Sequence, residues 1–139
     1  MTVSKLNILP ESLTFRFIAI ISMLFTLMLA TIALGDTING SLPAKSPATV
    51  KASTRQAIQS GLTPQPVIEL TKAMLQHQFD EPQIKRAHAL LVEAKISGTP
   101  QQPLMNKAHE GIAKNVPPAM IMIAMETVQA RNSFAFQRA

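Results

Sequence analysis

The feature that most constrains this chain is a ladder of prolines. Pro64, Pro82, Pro100 and Pro117 stand 18, 18 and 17 residues apart, and one further step back lands on Pro47. Proline suits the first turn of a helix, where its missing N–H would be unpaired anyway, and breaks a helix interior. The ladder therefore divides residues 47–131 into five consecutive helical units of nearly equal length. The expected fold class is all-α: an N-terminal hydrophobic helix, signal or anchor, followed by a small bundle or short solenoid of about five helices.

Local chemistry at the unit ends supports this reading. Gly61 closes unit one, because glycine takes the left-handed cap conformation most readily. Unit two opens at Thr63-Pro64, with Thr63 placed to accept from orphan amides, and runs to about Gln78. Asp80 and Gln83 have capping-box spacing at the start of unit three, which ends before Gly98. Thr99 and Gln102 repeat that spacing in unit four, although Pro103 places regular helix only from there, and Asn115 closes it. Unit five begins at Pro117-Pro118 and runs to about Arg131, leaving residues 132–139 as a tail.

At about 100° per residue, unit four puts Leu104, Met105, Ala108, Ile112 and Val116 on one arc and Lys107, Glu110 and Lys114 opposite. Unit five, AMIMIAMETV, is apolar nearly all round. It is expected to be either the central helix of a bundle or the surface that docks a partner.

Ahead of the ladder, Lys5 and Arg16 precede 18 uncharged residues, Phe17 to Leu34, with Asp36 beyond them. That length lies between a signal-peptide core and a span of roughly 20 residues. The charge asymmetry places the N-terminus in the cytoplasm and the rest outside it. Small residues at Ala33 and Gly35, or at Thr31 and Ala33, offer cleavage sites, so residues 1–35 read as a signal peptide or an uncleaved membrane anchor. Residues 36–46 read as a linker.

Composition narrows the chemistry. The chain of 139 residues has no cysteine, which removes disulfides, thiolate metal sites, cysteine nucleophiles and a lipidated cysteine. Its net charge of +5 is dispersed along the chain and it has no Trp or Tyr, unlike the basic, aromatic-bearing surfaces that bind nucleic acid. His109 and Glu110 suggest a zinc helix, but the second histidine would stand at position 113, which is Ala. His77, His88 and His109 could gather around a metal or a proton only if the fold brought them together. Met120, Met122 and Met125 resemble a copper-binding thioether set, yet Met120 points about 160° from Met122 on a helix. Glu81 with Lys85, and Glu69 with Lys72, read as solvated helix pairs. No phosphate loop, nucleophile elbow or paired-carboxylate arrangement appears, and no cofactor is expected.

Lys107, Glu110, Gly111, Ala113, Lys114, Pro117 and Pro118 fill a Lys-x-x-Glu-Gly-x-Ala-Lys-x-x-Pro-Pro pattern. In this stretch the chain resembles a family of uncharacterised bacterial exported helical proteins, with Asn115 where many relatives would carry Gly. The resemblance, extending over residues 55–136, implies export and a helical fold, and carries no activity.

The functional expectation is a non-enzymatic interaction or scaffold domain of the bacterial cell envelope, periplasmic after export or anchored in the inner membrane through residues 17–34. Its partner would be an envelope protein or a second copy, bound through Met120, Ile121, Met122, Ile123, Met125, Phe134 and Phe136. The alternative is a periplasmic bundle that binds a small ligand or metal.

Overall fold

The computed structural model of the protein describes residues 38–138. Five helices follow in order: α1 (Ala48–Gln59), α2 (Pro64–Gln76), α3 (Glu81–Ile96), α4 (Gln102–Ala113) and α5 (Pro118–Gln137). Residues 38–41 are helical too, and the described residues contain no strand. The expected N-terminal hydrophobic helix lies outside the described residues. None of the described helices is long and apolar enough to cross a membrane.

The prolines stand where the ladder requires, with one displacement. Pro47 and Pro117 are N-caps, Pro64 and Pro118 open α2 and α5, and Pro82 sits in the first turn of α3. The fourth rung starts late. Thr99 is buried and its hydroxyl donates 3.1 Å to Ala94 O, so it closes α3 instead of capping α4, and Pro103 takes the first-turn place. The expected capping box forms at Asp80: Gln83 N–H donates 2.8 Å to Oδ1 and Asp80 N–H donates 3.0 Å to Gln83 Oε1. Thr63 precedes α2 without a side-chain cap bond.

One closing device recurs four times. Gly61, Gln78, Gly98 and Asn115 have φ of 93°, 61°, 71° and 56°. Each donates its N–H three residues back, and the following residue donates five back: Leu62 to Ala57, Phe79 to Met74, Thr99 to Ala94 and Val116 to Gly111. This is the Schellman ending, in which a left-handed residue lets the chain satisfy the last helical carbonyls and turn away. Leu62, Phe79 and Thr99 then drop into the interior, so each turn also nails its helix to the core.

These uniform turns lay the helices down in a two-layer stack. α1, α3 and α5 pack side by side in one layer; α2 and α4 pack together in the other, and α1 with α2, α2 with α3 and α4 with α5 join the layers. α3 is the middle member, and Ile84, Ala87, Leu90, Leu91 and Ala94 are fully enclosed. α5 packs on α3 and α4 from the edge, so it is not the central helix.

Two sequence expectations are corrected here. Within the stretch read as a linker, Ile38 and Leu42 are 1% and 3% exposed members of the core, because a four-residue helical segment spaces them onto one side. At the other end the tail is helix as far as Gln137, since nothing after Arg131 is Gly or Pro to stop it. The two anticipated ion pairs are also replaced. Glu81 accepts from the Thr49 hydroxyl, Glu69 accepts 2.7 Å from Gln65, and Arg86 bridges Glu93 and Glu126 at 3.0 Å each, tying α3 to α5.

Candidate functional site

Among the described residues His88 is the one buried ionisable side chain, 3% exposed on α3. Its Nδ1 lies 2.9 Å from Ser53 Oγ on α1, and its Nε2 lies 2.8 Å from Thr71 Oγ1 on α2. Each hydroxyl also reaches a carbonyl of its own helix, Ser53 to Val50 O at 3.0 Å and Thr71 to Val67 O at 2.8 Å. Those four contacts need four protons, and two hydroxyls with a neutral ring supply three. The less buried Ser53 hydroxyl must therefore choose between Val50 O and Nδ1. Burial lowers the His88 pKa to about 4, so at neutral pH the ring is uncharged.

Ser53 and His88 line a groove of about 320 Å³ between α1 and α3, together with Gln56, Ser60, Lys85 and Glu93. Ser53 beside His88 invites comparison with a nucleophile and its base. The third group is a hydroxyl where a carboxylate would orient the ring, and Ser53 sits in mid-helix, where the backbone N–H groups are already bonded within α1. The arrangement joins three helices through one side chain.

The other histidines go elsewhere. His77 Nε2 donates 2.9 Å to Val116 O and its ring lies 6.0 Å from that of Phe79, while the nearby Asp80 carboxylate is occupied by the capping box. His109 is exposed on α4. Among the described residues no group of three His, Asp or Glu is arranged to hold a metal ion. Met122 and Met125 are buried and Met120 is exposed, so the thioethers do not converge either.

The Lys-x-x-Glu-Gly stretch is a structural joint. Glu110 accepts 2.8 Å from Lys107 and 2.6 Å from Lys114, and the two ammonium groups lower its pKa to about 2. Gly111 is there because α5 comes close: a Cβ on it would lie 2.6 Å from Ile121 Cγ1. Asn115, Pro117 and Pro118 then turn the chain into α5.

α5 is divided lengthwise. Ile121, Met122 and Met125, three of the seven residues expected to bind a partner, are 1%, 7% and 0% exposed and belong to the core. Met120, Ile123, Phe134 and Phe136 are 56%, 56%, 57% and 53% exposed. Met120, Ile123 and Phe134 share one side with Thr127 and Ala130, whereas Phe136 projects about 200° round from Phe134. The Thr127 hydroxyl donates 2.8 Å to Ile123 O, leaving its methyl outward, and the Arg138 guanidinium lies 4.3 Å from the Phe134 ring centroid. Neither the Phe134 end of this stripe nor its 3-4-3-4 spacing is visible if the helix is ended at Arg131. The absence of any Gly or Pro after Arg131 was the signal that would have found them.

The chain matches no protein-family model, no curated protein and no solved structure.

Proposed function

We propose that this chain is a non-enzymatic interaction domain of the bacterial cell envelope, placed outside the cytoplasm by its N-terminal hydrophobic stretch, which offers the outer side of α5 to another protein. The observation that carries this reading is the asymmetry of the stack's two ends. An inner helix of a stack covers both flanks with neighbours, while a terminal helix leaves one flank bare and needs a polar outer face to stay soluble. α1 meets that need with Thr49, Gln56 and Gln59 exposed and Lys51 and Arg55 half-buried. At the opposite end, α5 exposes Met120, Ile123 and Phe134. One end of the stack is finished and the other is open.

A photo-crosslinking side chain at Ile123, in the full chain expressed in its host, is expected to capture a protein, and the same group at Gln59 is not. Capture at neither Ile123 nor Met120 overturns the reading. An export-dependent reporter fused after Ala139 is expected to be active; an inactive one refutes the placement.

The groove over His88 favours a second reading, a periplasmic small-ligand site. Native mass spectrometry would then show retained mass that is lost when Ala89→Leu fills the groove, and an unliganded wild-type protein counts against it.

A further inference from the structure

The exposed stripe on α5 has a spacing that identifies its occupant. Met120, Ile123, Thr127, Ala130 and Phe134 follow one another at intervals of 3, 4, 3 and 4 residues. That alternation is the a/d seam of two helices wound together; a helix lying flat on a broad core uses a wider stripe. With Met120, Thr127 and Phe134 at a, and Ile123 and Ala130 at d, the flanking g and e positions include Glu126 and Arg131. We infer that α5 pairs in parallel and in register with α5 of a second copy of this chain.

Charge complementarity selects that occupant and that direction. In a parallel pair, each g side chain meets the e side chain five residues further along the other helix, and Glu126 and Arg131 are five residues apart. Two-fold symmetry makes that contact twice. In an antiparallel pair, g faces g and e faces e, so each Glu126 and each Arg131 loses its opposite charge. Arg131 is exposed and has no ion pair among the described residues. Glu126 holds Arg86 through Oε1, and its Oε2 has no ion pair among the described residues.

Shape agrees. Thr127 and Ala130 are small and stand at the centre of the stripe, where two helices approach most closely. Met120 and Phe134 are large and stand at its ends, where each packs against its own copy across the seam. Their exposure at 56% and 57% is the area such a pairing would cover.

The inference rests on the interaction reading above, and the chain's lack of cysteine allows the two to be separated. Single substitutions Met120→Cys, Thr127→Cys and Phe134→Cys in the full chain, with Gln59→Cys as control, are oxidised in isolated membranes and lysate. In a parallel in-register pair every a position faces its own copy. All three therefore give a disulfide-linked species of twice the mass of the unlinked chain, and the control does not. Arg131→Glu in the Thr127→Cys background lowers the linked fraction about fivefold or more, because two attractive pairs become two repulsive ones. Linkage at Thr127→Cys alone means that the two helices meet only at their centres and overturns the parallel in-register arrangement. No linkage at any position overturns self-pairing. If Ile123 then still photo-captures a different protein, the interaction reading stands without it; if it captures nothing, both fall.

Discussion

Lowering the pH from about 7 to about 5, in wild type and in a variant that lacks the His88 ring, tests whether the buried imidazole is what the structure says it is. The sign follows from burial. The folded pKa of about 4 lies below the ordinary 6.5, so the unfolded chain takes up the proton first. The stabilising contribution is fully present above about pH 6.5, declines as the pH falls, and is exhausted below about pH 4. Each tenfold difference in proton affinity is worth about 1.4 kcal/mol, which makes the loss about 2 kcal/mol at pH 5 and about 3 kcal/mol at pH 4. For a domain of this size, with stability of about 5–10 kcal/mol, the change at pH 5 is a large share. The Glu110 carboxylate, lowered to about 2 from 4.5, contributes in the same direction but only at pH values below that window.

The assay is urea unfolding of the full chain read by pulse proteolysis at both pH values, in wild type and in His88→Leu. The variant suits the purpose because Ser53 and Thr71 each keep a backbone acceptor, so no hydroxyl is orphaned. Leucine is expected to leave stability at pH 7 within about 1 kcal/mol of wild type, since lost hydrogen bonds and relieved desolvation oppose each other. It also removes most of the drop at pH 5. If wild type and His88→Leu lose the same stability between the two pH values, the neutral buried histidine is wrong.

The turns and the α4–α5 joint give further tests. Gln78→Gly removes the Cβ from a left-handed position at φ 61° and is expected to raise stability by about 0.5–1 kcal/mol, while Gly98→Ala lowers it by about 1 kcal/mol; denaturation midpoints check both signs. Gly111→Ala is expected to destabilise by about 1–2 kcal/mol, the overlap with Ile121 outweighing the better helix propensity of alanine. In an Ile121→Ala background the same change should become neutral or favourable, and additivity of the two substitutions in a double-mutant cycle would refute the close approach.

What the sequence disclosed and what it hid divide along a physical line. Helix starts and most of the stops were legible because Pro, Gly and the Asp80–Gln83 pair act within a few residues of where they stand. The stop near Gln78 was legible but its left-handed conformation was not, since glutamine has no left-handed preference. The position is forced by Phe79, whose burial requires the chain to turn there; the matching turns at Gly61-Leu62, Gly98-Thr99 and Asn115-Val116 fall at slightly different distances from their ladder prolines, so superposing the rungs does not single it out. His88 lay on the same arc as Ile84, Leu91 and Ala87, so its burial could be read. Its partners Ser53 and Thr71 are 35 and 17 residues away on other helices, and only the stacking of α1, α2 and α3 brings them to it. In α5, apolar residues on both sides conceal a boundary between core and surface that depends on where α3 and α4 lie.

That boundary also decides what self-association can produce. A stack with two apolar ends would add copies head to tail without limit, because a heterologous contact that does not close propagates. Here the α1 end is polar on its outer side, so the open side of α5 has no matching face on the far end of another copy. Among the described residues, the complementary apolar stripe is the one on α5 itself. Pairing through it is isologous, uses both stripes at once and closes at two copies. Crosslinking of Thr127→Cys at rising protein concentration should therefore saturate at the dimer. Adding a second cysteine at Gln59 should give no ladder, since a ladder of three or more copies would mean that α1 is a docking end and that the polar cap does not terminate the stack.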